Sequence, residues 1–151
     1  MYIWEAHPNE IIWDVKHHSV EPLLLTAGAD DLIQLWRTPS LNEINTILDQ
    51  ENENSKLEDK IFQKSFQLSG DSSNQIETPT CINWLNINST NFFACYNSGQ
   101  AAVFDINKET QVYSFDYLEN TNVDCSLSQI NSMCIHPHMN VAITVTEDSS
   151  I

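Results

Sequence analysis

Histidine and cysteine side chains are the first candidates for chemistry in this sequence. The pairs His17–His18 and His136–His138 could bind a metal ion, and Cys134 lies close to His136. Neither pair has a third ligand at helical or hairpin spacing, as a protein metal site requires. No acid is placed to orient a histidine beside Cys134, so a thiol nucleophile lacks its partners. We therefore predict no catalytic residue, no metal and no cofactor, and keep a hydrolase that uses Cys134 or a histidine cluster as the alternative class.

The cysteines have no metal-binding rhythm. They are separated by 14, 30 and 9 residues and include no Cys-x-x-Cys pair. The sequence also lacks a Gly-rich phosphate loop and a Gly-x-Ser-x-Gly elbow. We therefore expect reduced, half-buried thiols in a chain that is not an enzyme.

Four other side chains have the types and spacing of a buried hydrogen-bond network. They are His7, Thr26, Asp30 and Trp36. A carboxylate can accept from an imidazole, which bonds a hydroxyl, which in turn reaches an indole N–H. A satisfied buried network of this kind rigidifies a fold without reacting, so we predict a structural role for the set.

Short strands must position these side chains. The apolar run that ends at Thr26 is followed by the turn-like sequence Gly-Ala-Asp-Asp and then by the apolar run that ends at Trp36. This arrangement predicts a tight hairpin. Similar short runs separated by Asn, Asp, Ser and Gly recur along the chain, so we expect an all-β protein.

The hairpin pattern repeats twice. Thr26, Asp30 and Trp36 lie at offsets 0, 4 and 10, and Thr144 and Asp148 lie at offsets 0 and 4 of a third copy. A degenerate middle copy carries Ala94, Ser98, Ala101 and Phe104. The copies are 68 and 50 residues apart, more than the roughly 40 to 45 residues of a standard repeat, so insertions must account for the excess.

Residues 40–60 form the larger insertion. They carry two lysines and six acids, a net charge of 2 − 6 = −4. Ser40 and Glu43 make a capping-box signature, and the apolar residues that follow predict a short amphipathic helix. We interpret the stretch as a solvated connector that folding does not need, with a docking peptide for a basic partner as the alternative.

Composition narrows the functional classes. The 151 residues include 6 Lys+Arg and 21 Asp+Glu, giving a net charge of −15. Scattered single bases argue against nucleic-acid binding, and the net charge opposes anionic membranes. No apolar stretch approaches the roughly 18 residues of a membrane helix, and the first residues lack a signal-peptide pattern. We predict no membrane insertion and a cytoplasmic protein.

The segment from His7 to Trp36 resembles one WD repeat. It contains an Ala-His dipeptide, two strands, a turn Asp and a closing Trp. A more specific likeness follows the whole chain in the segments AGADDLIQLWR, TPTCINWL, CYNSGQAAVFDI, INSMCIHPHMNVAIT and TEDSSI. The sequence resembles the C-terminal WD-repeat domain of the striatin family.

The resemblance implies a partial WD-repeat β-propeller of about three four-stranded blades, the last incomplete. Blade 1 would cover about 7–68 with the acidic insertion 40–60, blade 2 about 78–116, and blade 3 about 128–151, truncated. Blade 3 would keep a partial network of Thr144 and Asp148. Three blades cannot close a ring of typically 4 to 8, so we expect a fragment of a longer protein or a truncated product.

The resemblance also implies a function. Striatin-type proteins are regulatory subunits of protein phosphatase 2A in phosphatase and kinase signalling complexes. A non-catalytic scaffold is therefore expected, with phosphatase subunits, a Mob-like protein and germinal-centre kinases as partners. Another WD-repeat scaffold of an unrelated pathway is the alternative. Candidate partner-binding loops contain Asn9, Glu10, Asp31, Asn97 and Gln100. We expect Trp4, Trp13 and Trp84 to pack between strands rather than bind ligands.

Overall fold

The computed structural model of the chain consists mainly of antiparallel β-sheet. It describes residues 4–49, 61–68, 77–85, 90–115, 128–139 and 141–147. The elements within these ranges are β1 Ile12–His17, β2 Leu23–Gly28, β3 Ile33–Arg37, α1 Leu41–Asp49, β4 Phe62–Phe66, β5 Pro79–Trp84, β6 Asn91–Tyr96, β7 Ala101–Asp105, β8 Thr110–Phe115, β9 Ile130–Ile135 and β10 Ala142–Thr146.

The strands form three sheets in chain order. The first blade has the strand order β1-β2-β3-β4 and the second blade β5-β6-β7-β8, each antiparallel throughout, and β9 pairs with β10 in a third sheet. Strand β5 packs against both β1 and β9, so the first strands of the three sheets lie side by side. This arrangement confirms the predicted all-β class and agrees with part of a β-propeller.

The hairpin expected from the sequence connects β2 and β3. Leu25 pairs with Leu35, and the Gly28 N–H donates to the Leu32 carbonyl at 3.0 Å to close the turn. Asp31 in this turn has a φ of 64°, a left-handed conformation that Asp tolerates better than most residues.

The main core lies between the first and second blades. The first blade contributes Leu25, Ala27, Ile33 and Leu35 from β2 and β3, together with Phe66 from β4. The second blade contributes Ile82, Trp84, Phe92, Ala94, Tyr96, Ala102 and Phe104. Burial of these apolar faces against each other is the dominant favourable contribution to the association of the blades.

Polar contacts also join the inner strands. Asp14 Oδ2 in β1 accepts the backbone N–H of Ile82 in β5 at 3.0 Å, and Asp14 Oδ1 lies 2.7 Å from Lys16 Nζ. The Trp84 indole N–H donates to the Lys16 carbonyl at 3.2 Å. The half-buried Asp14 carboxylate therefore satisfies an inner-strand N–H that would otherwise face the junction unpaired.

The helix expected after Ser40 is present as α1. The Ser40 hydroxyl caps the Glu43 N–H at 3.3 Å, and the Glu43 carboxylate accepts the Ser40 N–H at 2.8 Å. Glu43 also forms a two-point ion pair with Arg37 at the end of β3, at 2.8 and 3.0 Å. Residues 50–60 of the insertion lie outside the described residues. No helix in the described ranges is long and apolar enough to cross a membrane.

The three tryptophans expected to pack have different environments. Trp84 is buried in the core between the blades, and Trp4 packs beside Trp36 with ring centroids 6.3 Å apart. Trp13 leaves 53% of its surface exposed among the described residues, so its packing stays a prediction. Trp13 lies at an irregularity in the pairing of β1 with β2, next to Asp14, which faces the second blade.

Asp14→Ala should destabilise the chain by about 1 to 3 kcal/mol, because the Ile82 N–H would lose its acceptor at a partly buried position. Asp14→Asn keeps a carbonyl acceptor for this N–H and should lose less. Chemical denaturation of the two variants measures both effects. Equal losses would show that the ion pair with Lys16, rather than the bond to Ile82, makes the contribution.

The pKa of Glu43 is lowered from an ordinary value of 4.5 to about 2, first by the hydrogen bonds from Arg37 and then by those from Ser40. Because the folded-state pKa is below the unfolded one, the contact stabilises α1 above pH 4.5 and is lost as the pH falls toward 2. Arg37→Gln should move the carboxylate midpoint upward in an NMR titration. An unchanged midpoint would mean that the hydrogen bonds from Ser40 alone lower the pKa of Glu43.

Candidate functional site

The side chains of His7, Thr26, Asp30 and Trp36 form one hydrogen-bonded chain in the first blade. His7 Nδ1 lies 2.8 and 2.9 Å from the two Asp30 oxygens. His7 Nε2 lies 2.8 Å from Thr26 Oγ1, which also accepts the Trp36 indole N–H at 3.0 Å. Three of the four side chains are buried, and Asp30 is partly exposed at the turn. These hydrogen bonds therefore connect the loop before β1 to β2, to the turn after β2 and to β3.

Local backbone geometry places each side chain of the hydrogen-bonded network. Thr26 and Trp36 lie on neighbouring strands, two residues apart in register, so their side chains meet on one face of the sheet. Asp30 stays in the turn because its Oδ1 accepts the Leu32 N–H at 3.3 Å. The Ala29 N–H donates to the Ile11 carbonyl at 2.8 Å, which holds the turn beside the loop that carries His7.

Gly28 leaves the room that the imidazole needs. A Cβ at this position would overlap the His7 ring and lie 2.5 Å from Asp30 Oδ1. The glycine therefore serves close packing of a side chain against the strand backbone. The sequence contained this signal in the Gly that precedes the turn.

The second blade replaces this network with apolar and aromatic groups. Tyr96 lies at the position of Gly28, because each donates its N–H to the residue four positions later across the turn at 3.0 Å. Ala94 and Phe104 correspond to Thr26 and Trp36 in the two registers. Phe104 stacks on Phe92 with ring centroids 5.1 Å apart. Ala94 has no hydroxyl and Phe104 has no N–H, so these two positions cannot take part in a network like that of the first blade.

The third copy of the pattern is partly described. Thr144 lies in β10 opposite Met133 and is half-buried. Asp148 lies outside the described residues, so its predicted role in a partial network stays a prediction. Thr80 of β5 donates its hydroxyl to the Ile130 carbonyl and connects the third sheet to the second blade.

The candidate partner-binding residues lie at one end of the blades, which we call the turn end. It is formed by the loop 8–11, by the turns 29–32 and 97–100, and by residues 77–78, which enter β5. Asn9, Glu10 and Asn97 are exposed there, and Asp31 and Gln100 are half-buried. The Thr78 hydroxyl donates to Asp31 Oδ1 at 2.6 Å and joins the turn ends of the two blades.

Several residues of the turn end carry no signal in sequence spacing. The Thr78 N–H donates to Asn97 Oδ1 at 3.0 Å, and Glu77 precedes it on the same segment. The bond from the Thr78 hydroxyl to Asp31 joins two different repeats, so a pattern within one repeat does not contain it. The match between Tyr96 and Gly28 could have been found, since both occupy one offset of the repeat.

The histidine pairs make local contacts. His17 Nδ1 lies 2.6 Å from the His18 carbonyl, and His18 Nδ1 accepts the Glu21 N–H at 2.8 Å. His136 Nδ1 accepts the His138 N–H at 3.1 Å. Groups of three or more His, Cys, Asp or Glu able to hold a metal ion do not occur within the described ranges.

Two of the cysteines form a buried cross-strand pair. Cys81 of β5 lies opposite Cys95 of β6, and both are free thiols. A hydrogen bond from Cys95 lowers the pKa of Cys81, and the same contact together with burial raises the pKa of Cys95. Cys134 is exposed in β9, and its sulfur lies 4.0 Å from the Ile135 carbonyl.

Comparison with known families identifies the repeat. Residues 1–37 match the family model described as "WD domain, G-beta repeat". The chain contains a WD40 repeat. Its hydrogen-bonded chain of His7, Thr26, Asp30 and Trp36 lies inside this match, so the WD-repeat class predicted from the sequence is confirmed.

More distant similarities extend over most of the chain. It is 22% identical over 146 residues to striatin of Mus musculus and 21% identical to striatin of Rattus norvegicus, covering 95% of this chain in both cases. The chain spans 15% of the length of these relatives. A chain in the crystal structure of a mitotic checkpoint complex is similar in fold, with a TM-score of 0.59 and 14% identity over 91% of this chain and 34% of that one.

Asp30→Ala should cost about 1 to 3 kcal/mol of stability, because the buried His7 ring would lose the acceptor at Nδ1. Asp30→Asn retains one acceptor and should cost less. Both values come from chemical denaturation of the full chain. The absence of any loss in the alanine variant would exclude a stabilising role for the network.

Gly28→Ala should destabilise the chain by about 1 to 3 kcal/mol, since the new methyl group needs space that the His7 ring occupies. His7→Ala removes this ring, so the glycine substitution should cost much less in that background. A double-mutant cycle measures this coupling. If the two effects simply add, the clash with His7 is not the cause.

Proposed function

We propose that this chain is a non-catalytic protein-interaction scaffold that works like the propeller of striatin-type regulatory subunits of protein phosphatase 2A. The observation that carries the proposal is the hydrogen-bonded chain from Asp30 to Trp36, which fixes the turn end on a rigid blade. A rigid surface loses little conformational entropy when a partner binds. The distant match to striatin over 95% of the chain supports the choice of family.

The proposed partners follow from that family. They are phosphatase subunits, a Mob-like protein and germinal-centre kinases, met in the cytoplasm. We propose residues 7–68 and 78–116 as two complete repeats and 128–151 as a third. The partner surface would be the turn end, with Asn9, Glu10, Asp31, Asn97 and Gln100 as its candidate contacts.

A binding assay with purified partners tests the proposal. The full chain is immobilised and exposed separately to the phosphatase scaffold–catalytic heterodimer, the Mob-like protein and a germinal-centre kinase. Saturable binding of at least one is expected. Glu10→Arg should weaken it by about tenfold, a loss of about 1.4 kcal/mol.

Glu21→Arg is the matched control, because Glu10 and Glu21 are exposed acids at opposite ends of β1. It should leave binding within about twofold of the unsubstituted chain, because substitutions outside the contact surface have small effects. Binding of none of the three partners would favour another WD-repeat scaffold of an unrelated pathway. Equal losses in both variants would place the contact away from the turn end.

A further inference from the structure

Charge is distributed unevenly between the turn end and the rest of the described chain. Each lysine or arginine in the described ranges pairs with a nearby acid, and the pairs are Lys16–Asp14, Arg37–Glu43, Lys64–Glu109 and Lys108–Asp105. None of these acids lies at the turn end. Glu10, Asp30, Asp31 and Glu77 lie at this end, and none of them pairs with a described lysine or arginine.

Two buried polar atoms at this end have no partner among the described residues. They are the Tyr96 hydroxyl and Glu77 Oε2. The whole Tyr96 side chain is buried, with 0% of its surface exposed. An unpartnered buried polar group is costly, so a fold that keeps two of them together needs an explanation.

Both atoms belong to the junction between the first and second blades. Tyr96 shares a strand face with Ala94 and Phe92, which pack against the first blade. Tyr96 pairs with Pro79 across β5 and β6, and Glu77 lies two residues before Pro79. Burial, Cys95 and Glu77 raise the pKa of Tyr96. Asp31 reaches the same junction through its hydrogen bond with Thr78.

We propose that this junction binds the cationic tip of a lysine or arginine side chain from a partner protein. The inference rests on the proposed scaffold function and names the chemistry of the partner at the turn end. Ammonium and guanidinium groups carry several N–H donors and no acceptor, which matches the Glu77 and Asp31 carboxylates and the Tyr96 oxygen. An anionic group would be repelled by the same carboxylates.

Fluorescence anisotropy with the full chain tests the proposal. The probe is a capped, labelled peptide with three arginines in a Gly-Ser frame, and the control peptide carries neutral citrulline at the same places. At about 0.1 M salt, long-range attraction is screened beyond about 10 Å. Saturable binding of the arginine peptide is expected, with little binding of the citrulline peptide.

Two variants locate the contact. Glu77→Gln should raise the peptide Kd by about tenfold, because a charge-assisted contact at a partly buried site is lost. Glu147→Gln removes the same charge from an exposed position in the third sheet and should change the Kd less than twofold. Equal effects would mean that the net charge of the chain, rather than the junction, attracts the peptide, which overturns the proposal.

Tyr96→Phe gives a readout that a merely structural role would not produce. Removal of an unpartnered buried hydroxyl should raise the thermal midpoint of the free chain while it weakens binding of the arginine peptide. A lower midpoint would show that the hydroxyl already has a partner, such as a bound water, and would overturn the assignment. Absence of saturable peptide binding would also overturn it. If a phosphatase-complex partner binds but Glu77→Gln has no effect, this inference fails and the scaffold function stands.

Discussion

The hydrogen-bonded chain from Asp30 through His7 and Thr26 to Trp36 is the interaction on which the first blade depends. A carboxylate only accepts hydrogen bonds, so its contacts with His7 Nδ1 place the proton on that nitrogen. In the neutral ring Nε2 then accepts from the Thr26 hydroxyl, whose oxygen remains free to accept the Trp36 N–H. Each donor in the network thus has an acceptor, and the hydrogen bonds hold the loop, the turn and the two strands together.

The second blade maintains the same backbone geometry by a different physical means. Its Phe92 and Phe104 rings stack on each other. The Phe66 ring of the first blade meets both edge-on, with its centroid 5.1 Å from that of Phe92 and 5.8 Å from that of Phe104. Aromatic contacts of this kind add to the energy of apolar burial and need no polar partner. The exception is Tyr96, which keeps a hydroxyl in a place where the first blade has Gly28. The same strand order and turn hydrogen bond therefore occur in one blade with the polar network and in another with aromatic packing.

Local sequence patterns were sufficient to predict several elements of this structure. The hairpin around Asp31 and the helix after Ser40 were predictable because turn chemistry and capping depend on neighbouring residues. The spacing of the WD repeat also predicted the contact between His7 and Thr26. Contacts between repeats could not be predicted in this way, since the bond from the Ile82 N–H to Asp14 joins residues 68 positions apart. Trp13 shows the opposite limit, because an aromatic residue type alone does not say which face of a strand is covered.

Among the described residues, the two junctions between neighbouring sheets differ in the size of their buried apolar clusters. The first and second blades share the large aromatic and aliphatic core and several polar bonds, including that from Lys64 Nζ to the Ile106 carbonyl at 3.0 Å. The second blade and the third sheet meet over a smaller described cluster around Cys95 and Ile130. Local opening depends on the distribution of such contacts. We therefore expect the first two blades to open together as one cooperative unit, and the amide protons of the third sheet to exchange faster. Within the described residues, we therefore expect the first two blades to be the more stable unit and the hairpin of β9 and β10 to open more easily.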